Sequence, residues 1–136
     1  MTMKVLIVDD SFVNRKILRK FLEEYASIDI VVNGREAVDA VKLAHMERAP
    51  YELVLLDIMM PEMDGLETLR AIRDYEKSHN ILTLQGVKVI MVTALSDSKN
   101  IMNAFKEGCE SYIVKPVSKQ ALYQEMSNLG LALEKR

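Results

Sequence analysis

Five positions in this 136-residue chain carry polar groups directly behind short apolar runs. Asp9 and Asp10 follow residues 5–8, Asp57 follows 53–56, Thr93 with Ala94 follows 87–92, and Lys115 with Pro116 follows 111–114. Taken singly, each has a plain reading: an aspartate after a strand caps the next helix, and a threonine or lysine there meets solvent. Taken together they describe a constellation. In a doubly wound parallel sheet the C-terminal ends of the strands share one edge, and functional groups collect there. Three carboxylates converging at that edge repel one another and stay partly protonated unless a cation intervenes. An all-oxygen, carboxylate-rich site with room for water suits Mg²⁺, a hard cation that keeps part of its hydration shell.

The elements that must position these residues follow from the apolar pattern. Short β-branched runs alternate with longer stretches of helical period, the mark of a parallel sheet wrapped by helices. Five strands are predicted at 5–8, 28–32, 53–56, 87–92 and 111–114, mostly apolar throughout, as strands covered on both faces should be. Ile17, Phe21 and Tyr25 recur at a spacing of four and predict a helical stripe toward the sheet. Leu122, Met126, Leu129 and Leu133 predict a last helix that runs almost to Arg136. Asp64 with Glu67 has the form of a capping box, Ser118 stands where an N-cap belongs, and Asn33-Gly34 marks the turn into the second helix. Residues 77–86 break the pattern and predict a longer third helix or a surface loop. The methionines, nine in all, are spread across the elements and read as core fillers.

Size and composition narrow the function classes. A chain of this length with 49% apolar residues predicts one domain, 1–136, without room for an attached output domain. Net charge is -2, so no global field draws the molecule to nucleic acid or to anionic lipid. No stretch approaches the roughly 20 apolar residues of a membrane span, and no basic segment followed by an apolar run opens the chain, so a cytoplasmic location is expected. Cys109 is the single cysteine, which excludes an internal disulfide and reads as a small buried hydrophobe. His45 and His79 lie in polar surroundings without a partner at metal-ligand spacing and are expected to face solvent. The five glycines form no phosphate-cradling loop, which argues against a nucleotide or flavin module.

Four motifs carry a resemblance that spans nearly the whole chain: V-L-I-V-D-D at 5–10, L-L-D-I-M-M-P-E-M-D-G at 55–65, V-T-A at 92–94 and Y-I-V-K-P-V at 112–117. The sequence resembles the receiver domain of two-component response regulators and is similar to the single-domain chemotaxis type. The resemblance implies an α/β fold of flavodoxin-like topology, a doubly wound five-stranded parallel sheet in the order 2-1-3-4-5 with five helices. It implies that Asp57 is the phosphoacceptor, that Asp10 binds Mg²⁺ directly and Asp9 largely through water, and that the backbone carbonyl of Met59 is a further ligand. Thr93 would donate its hydroxyl to one phosphoryl oxygen, and Lys115 would pair with another and with Asp57. The bond between Lys115 and Pro116 is a place where a cis peptide is expected from the family, although sequence leaves both isomers open.

The same resemblance implies a phosphorylation-activated signalling switch. The phosphoryl group would come from a histidine kinase or a histidine phosphotransfer protein, and residues 97–133 would form the surface that changes and binds a protein target. Tyr112 matches the family's aromatic switch position. No direct contact with nucleic acid or membrane is expected, and no turnover beyond the protein's own phosphorylation and dephosphorylation. A phosphorelay intermediate is the alternative role. A phosphatase with an aspartate nucleophile would need a second aspartate two residues on, where Met59 stands. Met59 and Leu95, two residues beyond Asp57 and Thr93, cannot orient an attacking water by hydrogen bonding, which predicts slow self-dephosphorylation.

Overall fold

In the computed structural model, which describes residues 2–136 apart from the side chain of Thr83, five strands pair into one parallel sheet. They are β1 (Met3–Val8), β2 (Ala26–Val31), β3 (Leu53–Leu56), β4 (Lys88–Thr93) and β5 (Ser111–Val114). Their order is β2-β1-β3-β4-β5, as the resemblance implied. The helices are α1 (Phe12–Leu22), α2 (Gly34–Met46), α3 (Gly65–Ser78), α4 (Ser98–Glu107) and α5 (Lys119–Asn128). β3 and β5 have the predicted bounds. β1 begins earlier than the apolar run because pairing with β2 continues through Lys4 opposite Ser27, where solvent accepts polar side chains.

Alternation along each strand divides the core between the two faces of the sheet. Val5, Ile7, Leu53, Leu55, Ile90 and Val92 pack with Leu18 and Leu22 of α1 and Leu122 and Met126 of α5. Leu6, Val8, Val54, Leu56, Val89 and Met91 pack on the other face with residues of α2, α3 and α4. The fully buried Leu18 and Leu22 anchor α1, while Ile17 is 37% exposed. The spacing of four was right, but the inward stripe is displaced by one residue, and Tyr25 lies beyond the helix end.

Local capping places the helices that follow the strands. The Asp64 carboxylate accepts the Glu67 N–H at 2.9 Å, and the Glu67 carboxylate accepts the Asp64 N–H at 3.2 Å, so the capping box forms. Asn33 caps α2 and Ser118 caps α5, as their positions suggested. Each such cap stabilises its helix by about 1 kcal/mol.

Three expectations are corrected, and of the two alternatives for residues 77–86 the surface loop is the one found. α5 stops at Asn128, because Gly130 adopts φ 78 and the Leu131 N–H bonds back to the Met126 carbonyl at 2.9 Å, a left-handed helix stop. Beyond it the chain has no regular structure, with Leu129, Leu131 and Leu133 half-buried against the α1 and α5 side and Ala132 and Glu134 outward. A spacing of four between Leu129 and Leu133 fits an irregular chain as well as a helix. Residues 79–86 form a loop with a single 3₁₀ turn at Thr83–Gln85, anchored by the buried Glu76 carboxylate, which accepts the Val87 N–H at 2.8 Å. The methionine reading holds for Met3, Met60, Met91 and Met126, whereas Met46, Met59 and Met102 are largely exposed. Solvent exposure holds for His79 alone, since His45 is half-buried and shares a 2.8 Å hydrogen bond with the Tyr75 hydroxyl. Cys109 is buried as expected.

Candidate functional site

Parallel register brings the polar strand ends together. Val8 pairs with Leu56, so the next residues, Asp9 and Asp57, emerge side by side, and the Asp57 N–H donates to the Val8 carbonyl at 3.1 Å. Thr93 pairs with Val114, and the Lys115 N–H donates to the Thr93 carbonyl at 2.8 Å. The peptide between Lys115 and Pro116 is cis.

The side chains of Asp9, Asp10 and Asp57 each offer a carboxylate oxygen, and these oxygens lie within 4.8 Å of one another. Asp9 and Asp57 are buried at 1% and 5% exposure while Asp10 is exposed, so the cluster opens to solvent on the Asp10 side. The Lys115 ammonium donates to Asp57 Oδ2 at 2.8 Å and to Asp9 Oδ2 at 2.9 Å. Asp57 Oδ1 accepts the Met59 N–H at 3.2 Å, and Asp9 Oδ1 accepts the Ser11 N–H at 2.9 Å. Burial pushes the Asp9 carboxyl above the usual carboxylate range, and the nearby Asp57 charge adds to the rise, outweighing the Ser11 N–H and Lys115. Burial opposes the Lys115 charge, but its hydrogen bonds to Asp57 and Asp9 prevail and hold the ammonium above its ordinary value.

One ammonium faces three carboxyl groups, which gather hard oxygen donors around a single cation. That donor set fits a divalent hard cation such as Mg²⁺, and the open side leaves room for water and an incoming oxyanion. Thr93 is fully buried at the edge of the site, its hydroxyl oxygen accepting the Leu95 N–H at 3.4 Å. Tyr112 is half-buried and donates its hydroxyl to the Leu95 carbonyl at 2.7 Å, which ties β5 to the loop after Thr93. Burial holds its phenol above the ordinary value. Asp10, Met59, Leu95 and Asn100 line an open depression of about 500 Å³ above the cluster. The Met59 side chain is 56% exposed and places a thioether, not a hydrogen-bonding group, at this mouth.

Two supporting residues escaped the sequence reading. Gly65 sits where a Cβ would come within 2.1 Å of the Asp57 carbonyl oxygen and 2.7 Å of the Ile58 Cα, so only glycine lets α3 start against the loop after Asp57. The final glycine of the M-P-E-M-D-G run was the available signal. Arg15 donates to the Asp9 carbonyl at 3.1 Å from the first turn of α1 and braces the acidic pair. A cation five residues beyond Asp10 is too common a pattern to have marked it.

The family model of the response regulator receiver domain matches residues 5–127. The chemotaxis protein CheY of Halobacterium salinarum is 35% identical over 130 residues, covering 95% of this chain and 98% of that protein. The hybrid signal transduction histidine kinase B of Dictyostelium discoideum is 36% identical over 129 residues, covering 90% of this chain. The chain spans only 6% of that kinase, whereas it spans almost all of the chemotaxis relative. Among solved structures, the CheX–CheY–BeF3–Mg²⁺ complex of Borrelia burgdorferi superposes with a TM-score of 0.81 at 30% identity, covering 96% of this chain and 90% of that one. The co-crystal structure of the Saccharomyces cerevisiae phosphotransfer protein Ypd1 with the receiver domain of Ssk1 gives 0.80 at 29%, covering 95% and 89%.

Proposed function

The chain belongs to the response regulator receiver family of two-component signalling, and from that premise we propose that Asp57 is its phosphoacceptor in a Mg²⁺-dependent switch. The observation that carries this assignment is the Lys115 ammonium held 2.8 Å from Asp57 Oδ2 at the centre of a carboxylate cluster. Asp9, Asp10, Asp57 and the Met59 backbone carbonyl hold the metal, which when bound offsets the charge of carboxylates and phosphoryl oxygens alike. An Asp57 oxygen attacks phosphorus in line, the P–N bond to a donor histidine breaks with its electron pair going to the imidazole, and an acyl phosphate forms. Lys115 then pairs with one phosphoryl oxygen, and Thr93 donates its hydroxyl to another.

A phosphohistidine-bearing protein is the donor. The exposed Phe12 and Val13 at the start of α1, close in sequence to Asp10, supply an apolar patch for it to dock on. The Ypd1–Ssk1 complex supports a partner of this kind. Added phosphate charge draws the Thr93 hydroxyl inward and shifts the loop at Leu95, which Tyr112 holds by its hydroxyl. The α4, β5 and α5 surface thereby changes for a protein target, as a bias on an existing equilibrium. The receiver acts in the cytoplasm. Among the described residues no helix is long and apolar enough to cross a membrane.

Intact mass after incubation with Mg²⁺ and a small acyl phosphate tests the acceptor. The expected result is gain of one phosphoryl group by the wild type and none by Asp57→Asn, whereas equal labelling of both would overturn the assignment.

A further inference from the structure

We propose that the sheet edge opposite Asp57 carries a second binding site, for a neutral, ring-containing small molecule. A recess of about 420 Å³ opens between the C-terminal ends of α2 and α3 and the entries to β3 and β4. That volume falls in the range of small-ligand sites, which are mostly apolar with a few polar groups that fix orientation. Val41 and Val87, each 8% exposed, and Tyr51, 7% exposed, form its walls, with Tyr75, Ile81 and Leu131 completing them. None of the proposed metal or phosphoryl groups lines it.

Both tyrosine rings are fixed before any ligand arrives. The Tyr51 hydroxyl donates to Asp29 Oδ2 at 2.6 Å. The Tyr75 hydroxyl shares a 2.8 Å hydrogen bond with His45 Nδ1, the two rings meet edge to face at 5.5 Å, and His79 lies 4.0 Å from the Tyr75 ring. Lys4 lies over the Tyr51 ring at 4.7 Å and Lys42 over the Tyr75 ring at 5.7 Å, so a flat aromatic partner packs by edge contacts on the ring surface left open, without the cost of ordering the wall.

Charge on the lining selects against ions. The Glu76 carboxylate is already engaged by the Arg73 guanidinium at 2.7 Å and by the Val87 N–H at 2.8 Å. Glu52 and Lys88 contribute one charge of each sign at the rim. A ligand ion would lose hydration without gaining an unopposed counter-charge, whereas a neutral ring loses little. The Tyr75–His45 pair remains as an orienting polar group.

Indole serves as the probe, added to the isotopically labelled full chain. The expected result is saturable shifts of the Val41, Tyr51 and Val87 amides together with a rise in thermal midpoint. Ile81→Trp and Leu131→Trp, both at half-exposed wall positions, add bulk to the recess and should each weaken indole binding about tenfold. One variant that keeps a folded spectrum suffices for the comparison. Absence of saturable shifts at those amides overturns the site. So do shifts that persist unchanged in a folded filling variant, or shifts confined to the surface around Met102 and Phe105.

Discussion

Lys115 reaches Asp57 from 58 residues away and lays its ammonium 2.8 Å from Oδ2, while the same nitrogen meets Asp9 Oδ2 at 2.9 Å. It therefore occupies part of the negative field that a metal would otherwise neutralise. Lys115→Ala is expected to bind Mg²⁺ roughly fivefold tighter, about 1 kcal/mol once solvent screening is allowed for, and to accept phosphoryl groups more slowly at saturating Mg²⁺. Calorimetric titration and labelling rates measure the two effects, and weaker Mg²⁺ binding by the variant would contradict this account of the ammonium.

Gly65 tests how closely the acceptor loop depends on the start of α3. A methyl group there meets the Asp57 and Ile58 backbone, which cannot move aside as a flexible side chain would. Gly65→Ala should lose about 3 kcal/mol of stability through overpacking. A urea midpoint equal to that of the wild type would show that the loop yields freely.

If Asp57 is the acceptor, the apolar mouth lined by Met59 and Leu95 is expected to set the lifetime of the acyl phosphate. Met59→Asn supplies an amide that can orient water, so loss of label from phosphorylated protein should accelerate roughly tenfold. Decay at the wild-type rate would mean that water approaches from elsewhere.

Cys109 offers a pH-dependent measurement remote from the acceptor. Burial, aided by the Glu110 charge, pushes its thiol up from 9.0 to about 12. At pH 8 the native thiol is protonated and should resist alkylation that proceeds readily in urea. Between pH 9 and 12 the unfolded chain gives up this proton while the native protein keeps it, so stability falls as pH rises through that window. Cys109→Ala should show a shallower fall in its unfolding midpoint over the same range.

The positions of the candidate site residues were legible because β-branched runs end where parallel strands must end, and parallel strands must end at a common edge. Asp9, Asp10, Asp57, Thr93 and Lys115 could be found without knowing any distance, and the specific motifs around them supplied the sheet order. The capping box at Asp64 and Glu67 was equally local, since both partners lie within one helical turn. Gly130 was a stop signal that the spacing of Leu129 and Leu133 concealed, and its left-handed backbone ended α5 early.

What sequence determined by itself, then, was the alternation of strands and helices, the caps, and the residue types delivered to the strand ends, because these depend on neighbours a few positions apart. Tertiary structure alone decided that Lys115 bridges Asp57 and Asp9, that Gly65 lies against the Asp57 carbonyl, and that Tyr51, Tyr75 and Leu131 surround one recess. Those contacts join segments tens of residues apart, and their geometry follows from strand register and helix packing, which no local spacing encodes.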